Sequence, residues 1–278
     1  MRRYARVLFG LTQLMFAILL APIAPVLAQT QPTLHEINDI NGFEEALDAI
    51  SKAFHTAPDQ IGGQPAPPAL KEAWELAQEG AYDPNKMRAA IETALDGRLR
   101  PEELAALHEF FASPLGKAVT ALEVASAANA VEKKSEGKRL YADLQMNDPQ
   151  RLDLYGSMLD SLNAIDNSEA MALNMLYSMM AGMAASAKQP LTDEQLQGAV
   201  RLLTKNVRAE LEQSIYASAA YTYRDLPIDD LKKYVEFLAT PAAHRYYDLF
   251  MIELDKVVSS EAKAVGNRLM IAFGQRKA

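Results

Sequence analysis

Residues 99–116 read LRPEELAALHEFFASPLG, and residues 226–243 read LPIDDLKKYVEFLATPAA. The two stretches align without a gap at a constant offset of 127 positions, and six of the 18 aligned residues are identical. Unrelated sequences of ordinary composition share about one residue in a window of this length. The similarity therefore indicates an internal repeat, in which one helical unit is used twice.

Each copy is predicted to form a helix, a sharp corner and a second helix. Ser113-Pro114 and Thr240-Pro241 end one helix and begin the next, because proline disfavours a helical residue before it and Ser or Thr caps the helix that follows. We expect the second helices to reach about residues 144 and 272. The motif comprises Leu104, Glu109, Phe110, Ser113, Pro114 and Gly116 in the first copy and Leu231, Glu236, Phe237, Thr240 and Pro241 in the second.

The rest of the chain carries frequent helix-start signals, and apolar residues recur with a helical period rather than with the two-residue period of a strand. A long helix is predicted from Thr192 to about residue 223. The expected fold is all-α, a duplicated helical bundle preceded by a cleaved signal peptide. The helix-start signals are Asp83-Pro84, Asp148-Pro149 and a capping box from Thr192 to Gln195.

The N-terminus has the pattern of a secretory signal peptide. Three arginines within residues 2–6 precede an uncharged stretch at 7–27, and Val26-Leu27-Ala28 suits a signal peptidase. Cleavage after Ala28 is predicted, with retention as a membrane anchor as the alternative. The expected division is therefore a signal peptide at 1–28, a first helical unit at 29–145 and a second at 146–278, in a periplasmic or secreted protein.

Composition narrows the classes of partner. Loss of residues 1–28 would leave 250 residues and move the formal net charge from −8 to −11, because that segment holds three arginines and no acid. An acidic protein repels nucleic acid phosphates, so we expect no nucleic-acid partner. There is no cysteine, which excludes disulfides and thiolate metal sites. After cleavage we expect no stable membrane span, and the oligomeric state stays open.

The sequence lacks the local motifs of common enzymes and metal proteins. Its histidines, His35, His55, His108 and His244, have no zinc-ligand spacing, and there is no nucleophile elbow or phosphate loop. We therefore expect no catalytic residue, no cofactor and no metal. An enzyme site assembled from dispersed carboxylates or serines needs no local motif and stays open as an alternative.

Methionines are spaced by four residues in the segment 171–187. This spacing places Met171, Met175, Met179 and Met183 on one face of a helix. Such a face lines a core or a groove more often than it binds Cu(I), because methionine commonly fills irregular apolar gaps. The sequence therefore marks these four side chains as a contact surface, with copper binding as the alternative.

The first corner resembles the bacterial family known as domain of unknown function 2059 (DUF2059). The resemblance is carried by Glu103-Leu104, Phe110-Phe111, Ser113-Pro114 and Gly116-Lys117. The second copy departs from it, with Thr240 for Ser and with Ala243 and His244 for Gly and Lys. The resemblance implies an exported helical protein in two tandem copies. It supplies no catalytic residue, because members of that family have no established activity.

These observations predict an exported, non-catalytic helical protein that binds a protein or envelope component. The first alternative is a periplasmic carrier that holds a small hydrophobic ligand, or Cu(I), in a Met- and Ala-lined groove. The second alternative is the enzyme with a dispersed site. An apolar pocket between helices would favour the carrier, and a cleft with pKa-perturbed carboxylates would favour the enzyme.

Overall fold

The computed structural model describes residues 31–57, 67–187, 191–204 and 207–275, and within these ranges all regular structure is helical. The all-α prediction is thereby confirmed. The proposed signal peptide lies outside the described residues. The helices are α1 (Leu34–Asn38), α2 (Phe43–His55), α3 (Pro68–Gln78), α4 (Pro84–Leu95), α5 (Pro101–Ala112), α6 (Pro114–Ala128), α7 (Ala130–Asn147), α8 (Pro149–Ser161), α9 (Ala164–Ala185), α10 (Asp193–Leu203), α11 (Val207–Thr222), α12 (Ile228–Leu238) and α13 (Pro241–Gln275).

The helix starts follow the local signals in the sequence. The Asp83 side chain accepts hydrogen bonds from the amides that open α4, Asp148 does the same for α8, and Thr192 with Gln195 forms a capping box at α10. Each cap satisfies backbone N–H groups that the first turn of a helix leaves without a partner.

The two similar stretches, 99–116 and 226–243, each form a helix, a corner and the start of a second helix. The first corner has the Ser113 hydroxyl accepting from the Gly116 N–H at 3.0 Å. At the second corner the Thr240 hydroxyl accepts from the Ala243 N–H at 3.3 Å. Gly116 is required at the first corner, since a Cβ there would collide with the Phe110 carbonyl oxygen.

Two helices predicted to be continuous are interrupted. The helix after the first corner breaks at Asn129, whose side chain donates to the Ala125 carbonyl at 2.8 Å. The helix that begins at Asp193 ends at Leu203, and the Thr204 hydroxyl donates to the Val200 carbonyl at 2.7 Å. In both places a short polar side chain competes with the backbone for a helical acceptor, which favours a break. The helix after the second corner runs unbroken to Gln275.

Two hydrophobic clusters hold the helices together, and each contains residues from both predicted units. The first joins α1–α5 to the length of α13. The second joins Val119 of α6 to buried residues of α8, α11 and α12. Residues 32–278 accordingly form one compact unit. The predicted boundary at 145/146 falls within the last turn of α7, and the helices on its two sides share both cores.

Helices α9 and α13 lie in direct backbone contact. A Cβ at Gly182 would collide with the carbonyl oxygen of Lys263, and a Cβ at Gly266 would collide with that of Met179. The Asn174 amide also donates to Asp255 at 2.8 Å. Residue numbers rise together along this contact, so the two helices run parallel. No helix in the described ranges is long and apolar enough to span a bilayer.

Two residues that the sequence alignment pairs are in contact in the structure. The rings of Phe110 and Phe237, which are 127 positions apart, stack with centroids at 3.6 Å and an interplanar angle of 4°. The ends of α4 and α11, and the starts of α6 and α13, are also 127 positions apart. The helices that follow the two corners, α6 and α13, thus begin close to the same aromatic contact.

Candidate functional site

Glu123 is a half-buried carboxylate on the side of α6 that faces the core. It lies one turn after Val119, which is 1% exposed, and just before the buried Ser126. Residues three and four apart share one face of a helix, so the position that points Val119 into the core also points Glu123 inward.

Two tyrosine hydroxyls hold one oxygen of this carboxylate. Tyr223 donates to Glu123 Oε1 at 2.5 Å, and Tyr234 donates to the same atom at 2.8 Å. Burial raises the pKa of the Glu123 carboxyl, and the two hydrogen bonds oppose that rise. Burial, followed by the nearby charge of Glu123, raises the tyrosine pKa values well above 10. The tyrosines therefore stay protonated and act as donors.

A cavity of about 170 Å³ adjoins Glu123, bounded by α2, α6 and α13. Its walls include Phe43, Phe250 and Tyr247, with Phe43 and Phe250 in edge contact at 5.5 Å between centroids. A second cavity of about 190 Å³ shares Glu45, Val124 and Ala127 with the first and continues between α2 and α6. Together they form a narrow groove with one aromatic end.

The mouth of the groove is shaped by the turn before α2. Gly42 caps that helix with a φ of 79°, a left-handed conformation that glycine adopts without strain. Asn41 accepts from the Phe43 N–H at 3.1 Å and donates to the Tyr246 hydroxyl at 2.7 Å. Tyr246 in turn donates to Asn38 at 2.9 Å. This chain of hydrogen bonds fixes one wall of the cavity relative to α13.

The groove carries unbalanced negative charge. Glu45 and Asp48 line it beside Glu123, and none of these three carboxylates forms a salt bridge within the part of the chain that the structure describes. Lys52 is the basic side chain in this lining, nine positions along α2 from Phe43. Aromatic faces and a carboxylate favour an organic cation, since both attract positive charge.

The motif residues build the two corners, and most paired positions have the same burial, except that Leu104 is half-buried while Leu231 is buried. Phe110 and Phe237 are half-buried in the stacked pair, Ser113 and Thr240 cap the following helices, and Pro114 and Pro241 are exposed at the first helical position. Of the remaining motif residues, Glu109 and Glu236 are exposed, Gly116 and Leu231 are buried and Leu104 is half-buried. The motif residues thus shape the two corners. Glu123, which lies seven residues after Gly116, is outside the motif.

The four methionines of α9 are half-buried and pack against the first cluster: Met171, Met175, Met179 and Met183. Beside them, Gly182 and Ala185 line an open depression of about 420 Å³ whose other wall is α13. The methionine side chains do not line that depression. Their placement agrees with core packing, the more common role of such a stripe.

The histidines are dispersed over the fold. His35 lies near Glu92 at 3.2 Å, within a network of charged side chains around Arg88. His108 is half-buried on α5, and His55 lies near the Ser51 carbonyl at 2.7 Å. Over the ranges that the structure describes, no group of three His, Asp or Glu side chains is placed to hold a metal ion.

Sequence reasoning missed Glu123, although the sequence contained a signal for it. Extending the alignment of the two stretches past the corner pairs Glu123 with Phe250, so a carboxylate takes the position of a partly buried aromatic residue that packs against the first cluster. Tyr223 and Tyr234 belong to a tyrosine-rich region of the chain at 216–247, but their convergence on α6 depends on tertiary packing.

Comparison of the chain with models of protein families, with curated proteins and with solved structures gives no match. The resemblance to domain of unknown function 2059 therefore rests on the residues of the first corner.

Proposed function

We propose that this protein is an exported, duplicated helical bundle that works by binding a small organic cation in the groove beside Glu123. The observation that carries the proposal is the Glu123 carboxylate, held by two tyrosine hydroxyls on Oε1 at the edge of an aromatic cavity. A ligand with a cationic head would find a counter-charge there and aromatic faces around it.

The arrangement of hydrogen bonds supports binding to the second carboxylate oxygen. Both tyrosines donate to Oε1, and within the described ranges no protein group bonds to Oε2. Oε2 is not fully buried, so it can be reached from the groove, and a ligand that supplies a positive charge or a donor would bond to it there. This site differs from the Met- and Ala-lined groove expected from the sequence.

The relation between the two corners supports a groove at this place. The cavity lies between α6 and α13, the helices that follow the two corners, and the stacked Phe110 and Phe237 rings join those corners. We therefore propose that α2–α7 and α9–α13 are two copies of one unit, and that a small non-equivalence, Glu123 opposite Phe250, makes the site.

Calorimetric titration tests the binding proposal. The probes are choline, which carries a permanent positive charge, and the uncharged analogue in which a carbon atom replaces the quaternary nitrogen. We expect choline to bind one site per chain and the isostere to bind at least about tenfold more weakly, as for a desolvated cation–π contact with a carboxylate. Equal affinity for the two probes, or no binding of choline, would contradict the proposal.

A matched pair of variants assigns the site. Glu123→Gln keeps the size and the acceptor oxygen but removes the charge, and we expect it to weaken choline binding by about tenfold or more. Glu109→Gln makes the same change on the exposed side of α5 and should leave the affinity unchanged. Equal effects of the two variants would reject Glu123 as the binding group.

A second candidate function is acid–base catalysis by Glu123. It is favoured by one observation, the raised pKa of a carboxyl group beside a cavity, which is typical of catalytic acids. Turnover of an envelope-derived substrate that Glu123→Gln abolishes, with folding intact, would establish it and overturn the non-catalytic proposal.

Export remains a proposal based on residues 1–28. Cleavage after Ala28 predicts a mature N-terminus at Gln29 and a periplasmic or secreted product. Intact-mass measurement of the exported protein decides this, and a full-length mass in the membrane fraction would favour the anchored alternative.

A further inference from the structure

A second groove lies along the contact between α7 and α11, on residues that the Glu123 groove does not use. It is open to solvent on one side and has a volume of about 700 Å³. Its α7 wall carries Lys133, Lys134 and Lys138, and its α11 wall carries Val207, Leu211 and Ile215. The two walls therefore differ: α7 presents basic side chains, and α11 presents an aliphatic stripe together with the polar residues Glu210, Gln213, Ser214 and Ser218.

The groove lining holds three lysines and one carboxylate, Glu210, so it carries an excess of positive charge. Within the described ranges, none of Lys133, Lys134 and Lys138 forms a salt bridge, although the chain as a whole is acidic. Lys133 is half-buried, and this burial lowers the pKa of its ammonium group. An ammonium group that is partly desolvated and unpaired gains from an anion at the same place.

The aliphatic wall has a defined direction. Val207, Leu211 and Ile215 are spaced by four residues and are half-buried, so they form a stripe along one face of α11. Eight residues of helix span about 12 Å at a rise of 1.5 Å per residue. The hydroxyls of Ser214 and Ser218 also line the groove and offer donors to an anionic head.

Close helix packing keeps the two walls in place. A Cβ at Gly137 would collide with the Ala217 carbonyl oxygen, so α7 and α11 touch backbone to backbone there. Tyr141 and Tyr216 stack nearby at 5.3 Å between centroids. The lysine row and the aliphatic stripe consequently face one groove with a fixed separation, as a binding site requires.

We propose that the groove between α7 and α11 binds a monomeric anionic amphiphile, with its carboxylate or phosphate head on the three lysines and its acyl chain on the stripe of Val207, Leu211 and Ile215. This site is independent of the proposed cation site, because the two grooves share no lining residue. Failure of one proposal therefore leaves the other standing.

Titration calorimetry with octanoate, below its micellar concentration, tests the proposal. We expect one octanoate per chain, with acetate and octanol each at least about tenfold weaker, because acetate lacks the chain and octanol lacks the charge. Equal binding of octanol, or binding to anionic lipid vesicles without binding of octanoate, would overturn the proposal.

Two pairs of variants locate the site. Lys133→Gln should weaken octanoate binding by about tenfold, while Lys117→Gln, the same change on an exposed part of α6, should not. Leu211→Asn should weaken binding, while Leu202→Asn at an exposed position of α10 should not. Equal effects within either pair, with circular dichroism showing intact helices, would also overturn it. Glu123→Gln should leave octanoate affinity unchanged.

Discussion

Glu123 links the stability of the fold to pH. Burial raises the pKa of its carboxyl group in the folded state, so folding disfavours the ionised form. Below the unfolded-state pKa the side chain is neutral in both states and imposes no penalty. As the pH rises through the folded-state pKa, the carboxylate ionises in its buried position. The free energy of unfolding then falls by about 1.4 kcal/mol for each unit by which folding raises the pKa of Glu123.

Glu123→Gln is therefore expected to gain stability over the wild type as the pH rises. The two proteins should unfold with a nearly constant difference in free energy at pH 3 to 4, and the variant should become relatively more stable above the raised pKa. Chemical denaturation at several pH values measures this. Other carboxyl groups titrate in both proteins and cancel in the difference. A difference that moves in the opposite direction with pH would contradict the burial of this carboxyl group.

At the scale of single elements, the corners and caps were predictable because their causes are local. Asp83 and Thr192 cap helices through atoms two or three residues away, and such contacts can be read from sequence spacing. The breaks at Asn129 and Thr204 were missed, because these side chains can either face solvent or compete with the backbone, and periodicity does not distinguish the two.

The glycines between α9 and α13 provide a test of helix packing. Gly266→Ala should destabilise the protein by several kcal/mol, because its Cβ would meet the Met179 carbonyl in a rigid backbone contact. The control is Gly198→Ala on α10, which has open space around its Cβ and should stabilise by about 0.5–1 kcal/mol through helix propensity.

Urea denaturation of both variants gives the comparison. Similar stabilities for Gly266→Ala and Gly198→Ala would mean that α9 and α13 do not approach as closely as the structure has them.

At the scale of the whole molecule, helices from the two predicted units, 29–145 and 146–278, pack together in the same hydrophobic clusters. Helix α13 closes the cluster built by α1–α5, while α6 packs into the cluster of α8, α11 and α12. The sequence predicted a repeat but could not predict that helices of the two units share their cores. The pattern of apolar faces does not specify which face packs against which. The Glu123 site depends on the same packing, because Tyr223 follows α11, Tyr234 lies in α12 and Tyr247 lies in α13.

Interlocked cores predict one cooperative unfolding transition for residues 29–278. A fragment of residues 29–145 lacks α13 and should expose the first cluster, so we expect it to be largely unfolded alone. Scanning calorimetry of the whole chain and circular dichroism of the fragment check this. Two separate transitions, or a stably folded fragment, would indicate two autonomous units.

The most direct test of the account is the ionisation of Glu123 with and without ligand. Carbon-detected nuclear magnetic resonance of the Glu123 carboxyl follows its titration in the free protein and at saturating choline. We expect a raised pKa in the free protein and a clear fall when choline binds, because a neighbouring cation favours the carboxylate. An unchanged pKa at saturation would contradict the proposal that this side chain binds an organic cation.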